Sequence, residues 1–362
     1  MEGLRDFAVA FTRASRTNAN FVFSPLSIAA AFAMAAAGAS PATYAELARV
    51  FGFAADPAEL HPAAAALLRS IDAANGDDVT VQVADAIWGQ TGLTLGPAFV
   101  STLATDYGAS VQAVDFAGDI EGARQAINAW VAKITRGRID PLLVPGALDP
   151  ATEVALVNAI YLHARWRTPF PEGQTRDRPF TLLDGTVVEV PTMHQPAARF
   201  AAVAGPDVTA LKLPYVGNQL AMVVIVADDL AAIDGPRLTD VLGRLAPQQV
   251  ALTIPKWDIA STLDLSGPLG ALGFPIPGGD FAGIAPGAFI GAAVHAANIT
   301  VDETSTEAAA ATAVMVGRAA FDPTEPTPIV VDRPFLFVVQ HESTGVPLFY
   351  GRVTDPRNPA GS

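Results

Sequence analysis

Residues 152–163, Thr-Glu-Val-Ala-Leu-Val-Asn-Ala-Ile-Tyr-Leu-His, are apolar at nearly every position. A strand with one wet face alternates apolar and polar side chains; a near-continuous apolar run belongs to a central strand covered on both faces. The chain must therefore place layers on both sides of a sheet. Composition permits this, since 51% of the 362 residues are hydrophobic and 16% charged, which suits a large core and excludes disorder. Nothing linker-like divides the chain, so residues 1–362 are expected to form a single domain.

Helix signals come mostly first. Residues 4–16 read as a short amphipathic helix. Ser24 and Pro25 suit the cap and first position of a second helix that ends near Gly38, and its Ala-rich run is apolar all round, so it should be buried. Further helices are expected at 41–50, 57–74, 97–107 and 119–135, the last with Ile127, Trp130, Val131 and Ile134 on its inner face. Strands are expected at 79–88 and 109–116, throughout 178–265 with turns at Asp184-Gly185 and Gly217-Asn218, and again at 289–302, 328–340 and 346–353. Helices followed by strands favour an α+β fold over a doubly wound sheet.

The net charge of −14 and the pI of 4.7 argue against a nucleic-acid surface, which needs clustered Lys and Arg. Cysteine is absent, which removes disulfides and thiolate metal sites and leaves the compartment open between extracellular and cytoplasmic. The segment Met1-Glu-Gly-Leu-Arg-Asp does not look like a signal peptide, and no apolar run reaches the roughly 20 residues of a membrane span. A soluble, monomeric chain without membrane or nucleic-acid partners is expected. No G-x-S-x-G elbow, H-E-x-x-H pair, phosphate loop or G-x-G-x-x-G turn occurs, and His61, His163, His194, His295 and His341 lack ligand spacing. No enzyme, cofactor or metal is expected, although a Ser-His-Asp hydrolase could draw its partners from anywhere in the chain.

One stretch has an unusual pattern: Val301-Asp-Glu-Thr-Ser-Thr-Glu307, then Ala308 to Ala311 and Thr312 to Ala320. Local propensity alone would make the alanines helical. If Thr306–Met315 is instead extended, Thr306, Ala308, Ala310, Thr312 and Val314 share one face, which carries no charge and nothing larger than Val. Glu307 lies on the other face. The segment could slide into a packed interior as a strand.

Phe23-Ser24-Pro25-Leu26-Ser27-Ile28, Asn158-Ala-Ile-Tyr-Leu-His-Ala-Arg-Trp166, Val301–Ala311, and Asp332-Arg-Pro-Phe-Leu-Phe337 with Pro347-Leu-Phe-Tyr-Gly-Arg352 resemble the serpins, in family order and over essentially the whole chain. The resemblance implies three β-sheets with surrounding helices and an exposed reactive-centre loop, at about 303–327. It further implies that a target serine protease cleaves the loop as a substrate, and that the cut loop inserts into the main sheet and traps the acylated protease. Glu303, Ser305, Thr306, Glu307, Ala308, Ala309, Ala310 and Ala311 match the hinge, with Ser305 standing where the family usually has Gly, the residue freest to bend. Ser24, Ser27, Asn158 and His295 match the polar shutter cluster beneath the main sheet, and Trp166 matches the breach where the loop first enters.

Counting from Glu303, the family's usual spacing puts the residue before the cut at Ala319. A loop one residue shorter puts it at Arg318, and Ala320 is the next candidate. Ala319 or Ala320 implies an elastase-like or subtilisin-like protease, Arg318 a trypsin-like one with an acidic pocket. The alternative is a serpin-fold carrier, chaperone or storage protein without inhibitory activity.

Overall fold

The computed structural model describes residues 2–306 and 325–357. The chain opens with α1 (Glu2–Ala14), β1 (Phe21–Phe23), α2 (Pro25–Ala36), α3 (Pro41–Phe51) and α4 (Pro57–Asp72). Then come β2 (Val79–Gln90), α5 (Pro97–Thr102), which continues as a π turn over Leu103–Tyr107, β3 (Val111–Val114) and α6 (Ile120–Ile134). The second half is mostly strand: β4 (Val154–Arg165), β5 (Arg176–Thr181), β6 (Val187–Ala204), β7 (Val208–Pro214) and β8 (Leu220–Ala227), followed by α7 (Gly235–Gly243), β9 (Ala246–Pro255), β10 (Trp257–Asp264) and α8 (Ser266–Ala271). β11 (Ile290–Val301), the two-residue β12 (Ser305–Thr306), β13 (Thr327–Val330), β14 (Phe335–His341) and β15 (Pro347–Val353) complete it.

These strands make a six-stranded sheet in the order β10-β11-β12-β4-β2-β3 and a nine-stranded one in the order β1-β15-β14-β8-β7-β6-β9-β13, with β5 on β6. The third sheet implied by the resemblance is continuous with the second through β6. An irregularity between Gln195 and Ala198 divides that strand; its first half pairs with β5 and its last residues with β7. Expected turns fall in place, with Gly185, Gly217 and Asn218 at φ 84°, 79° and 57°, the left-handed region that Gly and Asn tolerate.

β4 is the central strand its composition demands. Its odd-numbered residues Ala155, Val157 and Ala159 share a core with Ile127 and Val131 of α6 and with Val294 and Ala296 of β11, so α6 straddles the β4–β11 boundary. Trp130 and Ile134, expected on the same inner face, are only partly buried. On the opposite face, Leu156 packs with α1, α2 and α8, while Ile160 and Leu162 pack with the nine-stranded sheet. α2 starts as its sequence requires: the Ser24 hydroxyl accepts a hydrogen bond from the Ser27 N–H at 3.0 Å, Pro25 occupies the first turn, and all twelve helical residues are buried.

Candidate functional site

Below α6 and above α2, β4 and β11 are direct parallel neighbours, from Val154↔Ile290 to Ile160↔Ala297. Beyond that point they part, and β12 sits between them. Thr306 pairs antiparallel with Val301 of β11 and with Ala164 of β4, and Ser305 pairs with Arg165. The seam is closed over most of its length and wedged open at one end by the first two residues of the segment leading into the alanine run.

The wedge is tightly built. Ser305 and Thr306 are 1% and 0% exposed. The Asp302 carboxylate accepts hydrogen bonds from the N–H groups of Thr304 and Ser305, both at 2.9 Å, turning the chain sharply from β11 into β12. Ser305 is not among the positive-φ residues, so this bend does not need the glycine that the resemblance leads one to expect. The Trp166 indole N–H donates to the Asp302 carbonyl at 2.9 Å. Its ring stacks on Tyr215, centroids 4.6 Å apart and planes 12° from parallel, and the Tyr215 hydroxyl bonds the Thr306 hydroxyl at 2.7 Å. Glu303 is tied down separately, by Lys256 Nζ at 2.8 Å and by the Thr175 hydroxyl at 2.6 Å. Burial pushes its carboxyl upward, but the bonds from Lys256 and Thr175 outweigh this and hold it below the ordinary glutamate value.

The four residues assigned to the shutter lie together at the closed part of the seam, each 0% exposed. Asn158 of β4 and His295 of β11 are register partners. The His295 Nδ1–H donates to Asn158 Oδ1, while His295 Nε2 accepts from the Ser24 backbone N–H at 2.9 Å. This pattern requires the neutral Nδ1–H tautomer. Burial enforces neutrality, lowering the pKa of His295 to about 3. The Ser27 hydroxyl donates to Asp85 Oδ1 at 3.1 Å and lies 3.4 Å from Asn158 Oδ1. The cluster is no hydrolytic triad: the lone pair of His295 is spent on a backbone N–H, no serine hydroxyl bonds it, and the group has no exposed atom through which to meet a substrate.

Of the expected site residues, Trp166, Glu303, Ser305 and Thr306 meet at the wedge, and Ser24, Ser27, Asn158 and His295 meet at the seam. Glu307, Ala308, Ala309, Ala310, Ala311, Arg318, Ala319 and Ala320 lie outside the described residues. Asp85, Thr175, Tyr215, Lys256 and Asp302 went unread in the sequence. Asp85 had a visible signal, as the one charge in the apolar alternation of 79–88, and Lys256 is one of only three lysines. Among the described residues, no three His, Asp or Glu gather as a metal site, and no helix is long and apolar enough to cross a membrane.

A mixed sheet whose parallel seam holds, at its open end, the first rungs of the segment that follows, with a buried Ser-Ser-Asn-His cluster beneath, defines a distinctive class of α+β protein. A family model described as Serpin (serine protease inhibitor) matches residues 2–356. Plasminogen activator inhibitor 1 of Neovison vison is 33% identical over 356 residues, spanning 93% of this chain and 87% of the relative. A putative serpin of Oryza sativa subsp. japonica is 36% identical, spanning 93% of this chain and 85% of its own. Among solved structures, thyroxine-binding globulin in complex with thyroxine superposes with a TM-score of 0.86 at 28% identity, covering 98% of this chain and 99% of that one. Serpin48 of the insect Tenebrio molitor gives a TM-score of 0.83 at 29% identity, with 98% and 97% covered. The chain belongs to the serpin family.

Proposed function

We propose that this serpin inhibits serine proteases as a suicide substrate. The protease serine attacks the carbonyl of the residue before the cut, the amide C–N bond breaks, and the leaving amine takes a proton as the acyl ester forms. The loop, freed at that end, then enters the β4–β11 seam from Thr306 onward and draws the acylated protease with it, before water can hydrolyse the ester.

The observation that carries this reading is the seam itself, with β4 and β11 paired directly below and Ser305–Thr306 already seated above. The sequence beyond Thr306 supports it, since the face that would turn inward is small and uncharged. An added strand would gain on the order of ten backbone hydrogen bonds at about 1 kcal/mol each. The hinge count favours Ala319 before the cut and an elastase-like or subtilisin-like target; Arg318 would select a trypsin-like one, and Ala320 remains the neighbouring candidate.

The test mixes the protein with trypsin and, separately, with an elastase. A denaturant-resistant band at the summed mass, with a released peptide whose mass fixes the bond, is the expected result. The likeness in fold to thyroxine-binding globulin favours a second reading, a carrier without inhibitory activity. Cleavage in the loop with no such band, by either protease, would sink the inhibitor reading in favour of that one.

A further inference from the structure

β2 has one edge that is only partly used. Along the other edge it pairs with β4 from Val79↔Ala164 to Gly89↔Val154. The even-numbered residues make the backbone bonds to that neighbour, as the Asp78 carbonyl does with the Arg165 N–H at 3.0 Å and the Gln90 N–H with the Glu153 carbonyl at 2.8 Å. The odd-numbered residues therefore turn their N–H and C=O groups away from β4. Those of Val81 are taken by the Asn75 side chain, which accepts the N–H at 2.6 Å and donates to the carbonyl at 3.1 Å. β3 joins only at Ile87. In the gap between, the backbone groups of Val83 and Asp85 meet no partner among the described residues. Both residues line a cavity of about 890 Å³ between β2, α4, α6 and the turn after α5.

An open stretch of strand edge is a template for another strand, and its donors and acceptors call for partners of both kinds. The charge of the wall narrows the choice. Asp72, Asp85 and Asp106 line the cavity against one arginine, Arg69, which is exposed and bonds none of the three among the described residues. Asp85 has one hydrogen bond, from the Ser27 hydroxyl, and Asp72 has one, from the Asn75 amide. The three carboxylates do not gather as a metal site; they are spread around a space of the size that holds an organic ligand. Tyr107 and Trp130 add aromatic surface, which suits a cation as well.

We propose that this cavity is a docking site for a short, basic peptide in extended conformation, which pairs its backbone with Val83 and Asp85 and sets Lys or Arg side chains against Asp85 and Asp106. A peptide supplies both kinds of backbone group that the edge lacks, and a basic one supplies the cations that the wall lacks. The site is separate from the β4–β11 seam, where the incoming face must be small and uncharged.

The experiment titrates the full chain into a fluorophore-labelled peptide, Lys-Val-Lys-Val-Lys with both ends capped, and follows fluorescence anisotropy. The same peptide with its internal amides N-methylated should bind about tenfold or more weakly, since it cannot donate to the strand edge. The analogue with Glu in place of Lys should not bind. Asp85→Asn and Asp106→Asn should each weaken binding about three- to fivefold, whereas Asp177→Asn, which removes the same charge from an exposed position on β5, should leave it unchanged. If Asp85→Asn does not fold, the contrast between Asp106→Asn and Asp177→Asn decides. The site is overturned if the N-methylated or the Glu peptide binds as tightly, if Asp177→Asn weakens binding as much as Asp106→Asn, or if the Lys peptide does not bind. Displacement of the label by an unlabelled peptide with the sequence of residues 306–316 would put the ligand in the seam and overturn it too.

Discussion

Two titrating groups, the buried His295 at the seam and the part-buried Asp85 beside it on β2, pull stability in opposite directions. Burial lowers His295 from 6.5 to about 3, so below about pH 6.5 the unfolded chain binds a proton that the folded one refuses, and stability falls as pH drops toward 3 at about 1.4 kcal/mol per unit. Asp85 runs the other way. Burial raises it from 3.8 to about 8, against the lowering by Ser27, so its contribution is fully present below about pH 4 and lost as pH rises to about 8. Between about pH 4 and 6.5 the two slopes cancel, and unfolding midpoints measured across that range should be nearly level where these groups dominate. Wild type should weaken on either side, and Asp85→Asn should weaken on the acid side alone. Asn158 is the other sensitive atom set. Its Oδ1 is the acceptor for His295, whereas its Nδ2 is buried without a partner among the described residues. Asn158→Ala should orphan the imidazole N–H and cost about 1–3 kcal/mol, visible in chemical denaturation.

At the scale of elements, the wedge is the most exposed to test. Tyr215→Phe keeps the stack on Trp166 but removes the hydroxyl that meets Thr306, leaving a buried hydroxyl unpaired at about 1 kcal/mol or more. Amide exchange at Ser305 and Thr306 should speed up about fivefold, with little change elsewhere. The Lys256–Glu303 pair is half-buried, so a double-mutant cycle with Lys256→Ala and Glu303→Ala should return a coupling below about 1 kcal/mol. Much of this was legible beforehand. The Ser24-Pro25 start of α2 and the doubly buried β4 follow from local chemistry, because capping and apolar continuity act within a few residues. α7 did not stand out, although Asp234-Gly235-Pro236 is a cap-and-proline start whose Asp accepts from the Arg237 N–H at 2.8 Å; strand signals on both sides hid a nine-residue helix. The run 328–340 was expected to be one strand and is two, β13 and β14, broken before Pro334, which has no N–H to give a ladder. Tyr215 and Asp302 were invisible because their roles depend on partners 91 residues away in one case and 136 in the other, brought near only by the completed sheets.

For the whole molecule, the expected outcome of loop cleavage is a more heat-resistant protein. If a full strand enters, an added ~10 kcal/mol should raise the calorimetric midpoint by on the order of 10–20 °C. An unchanged midpoint after a clean cut in the loop would show that no strand was taken up. The arrangement of β12 also sets strand polarity at this point of the sheet. β4 and β11 run the same way, and β12 runs against both. A chain segment continuing along the heading of β12 would exchange one slanted, evenly spaced ladder for two perpendicular ones, and parallel pairing is the slightly weaker kind per residue. The folded sheet thus has a mismatched suture at its centre, a line along which neighbours of like polarity meet directly below a strand of opposite polarity.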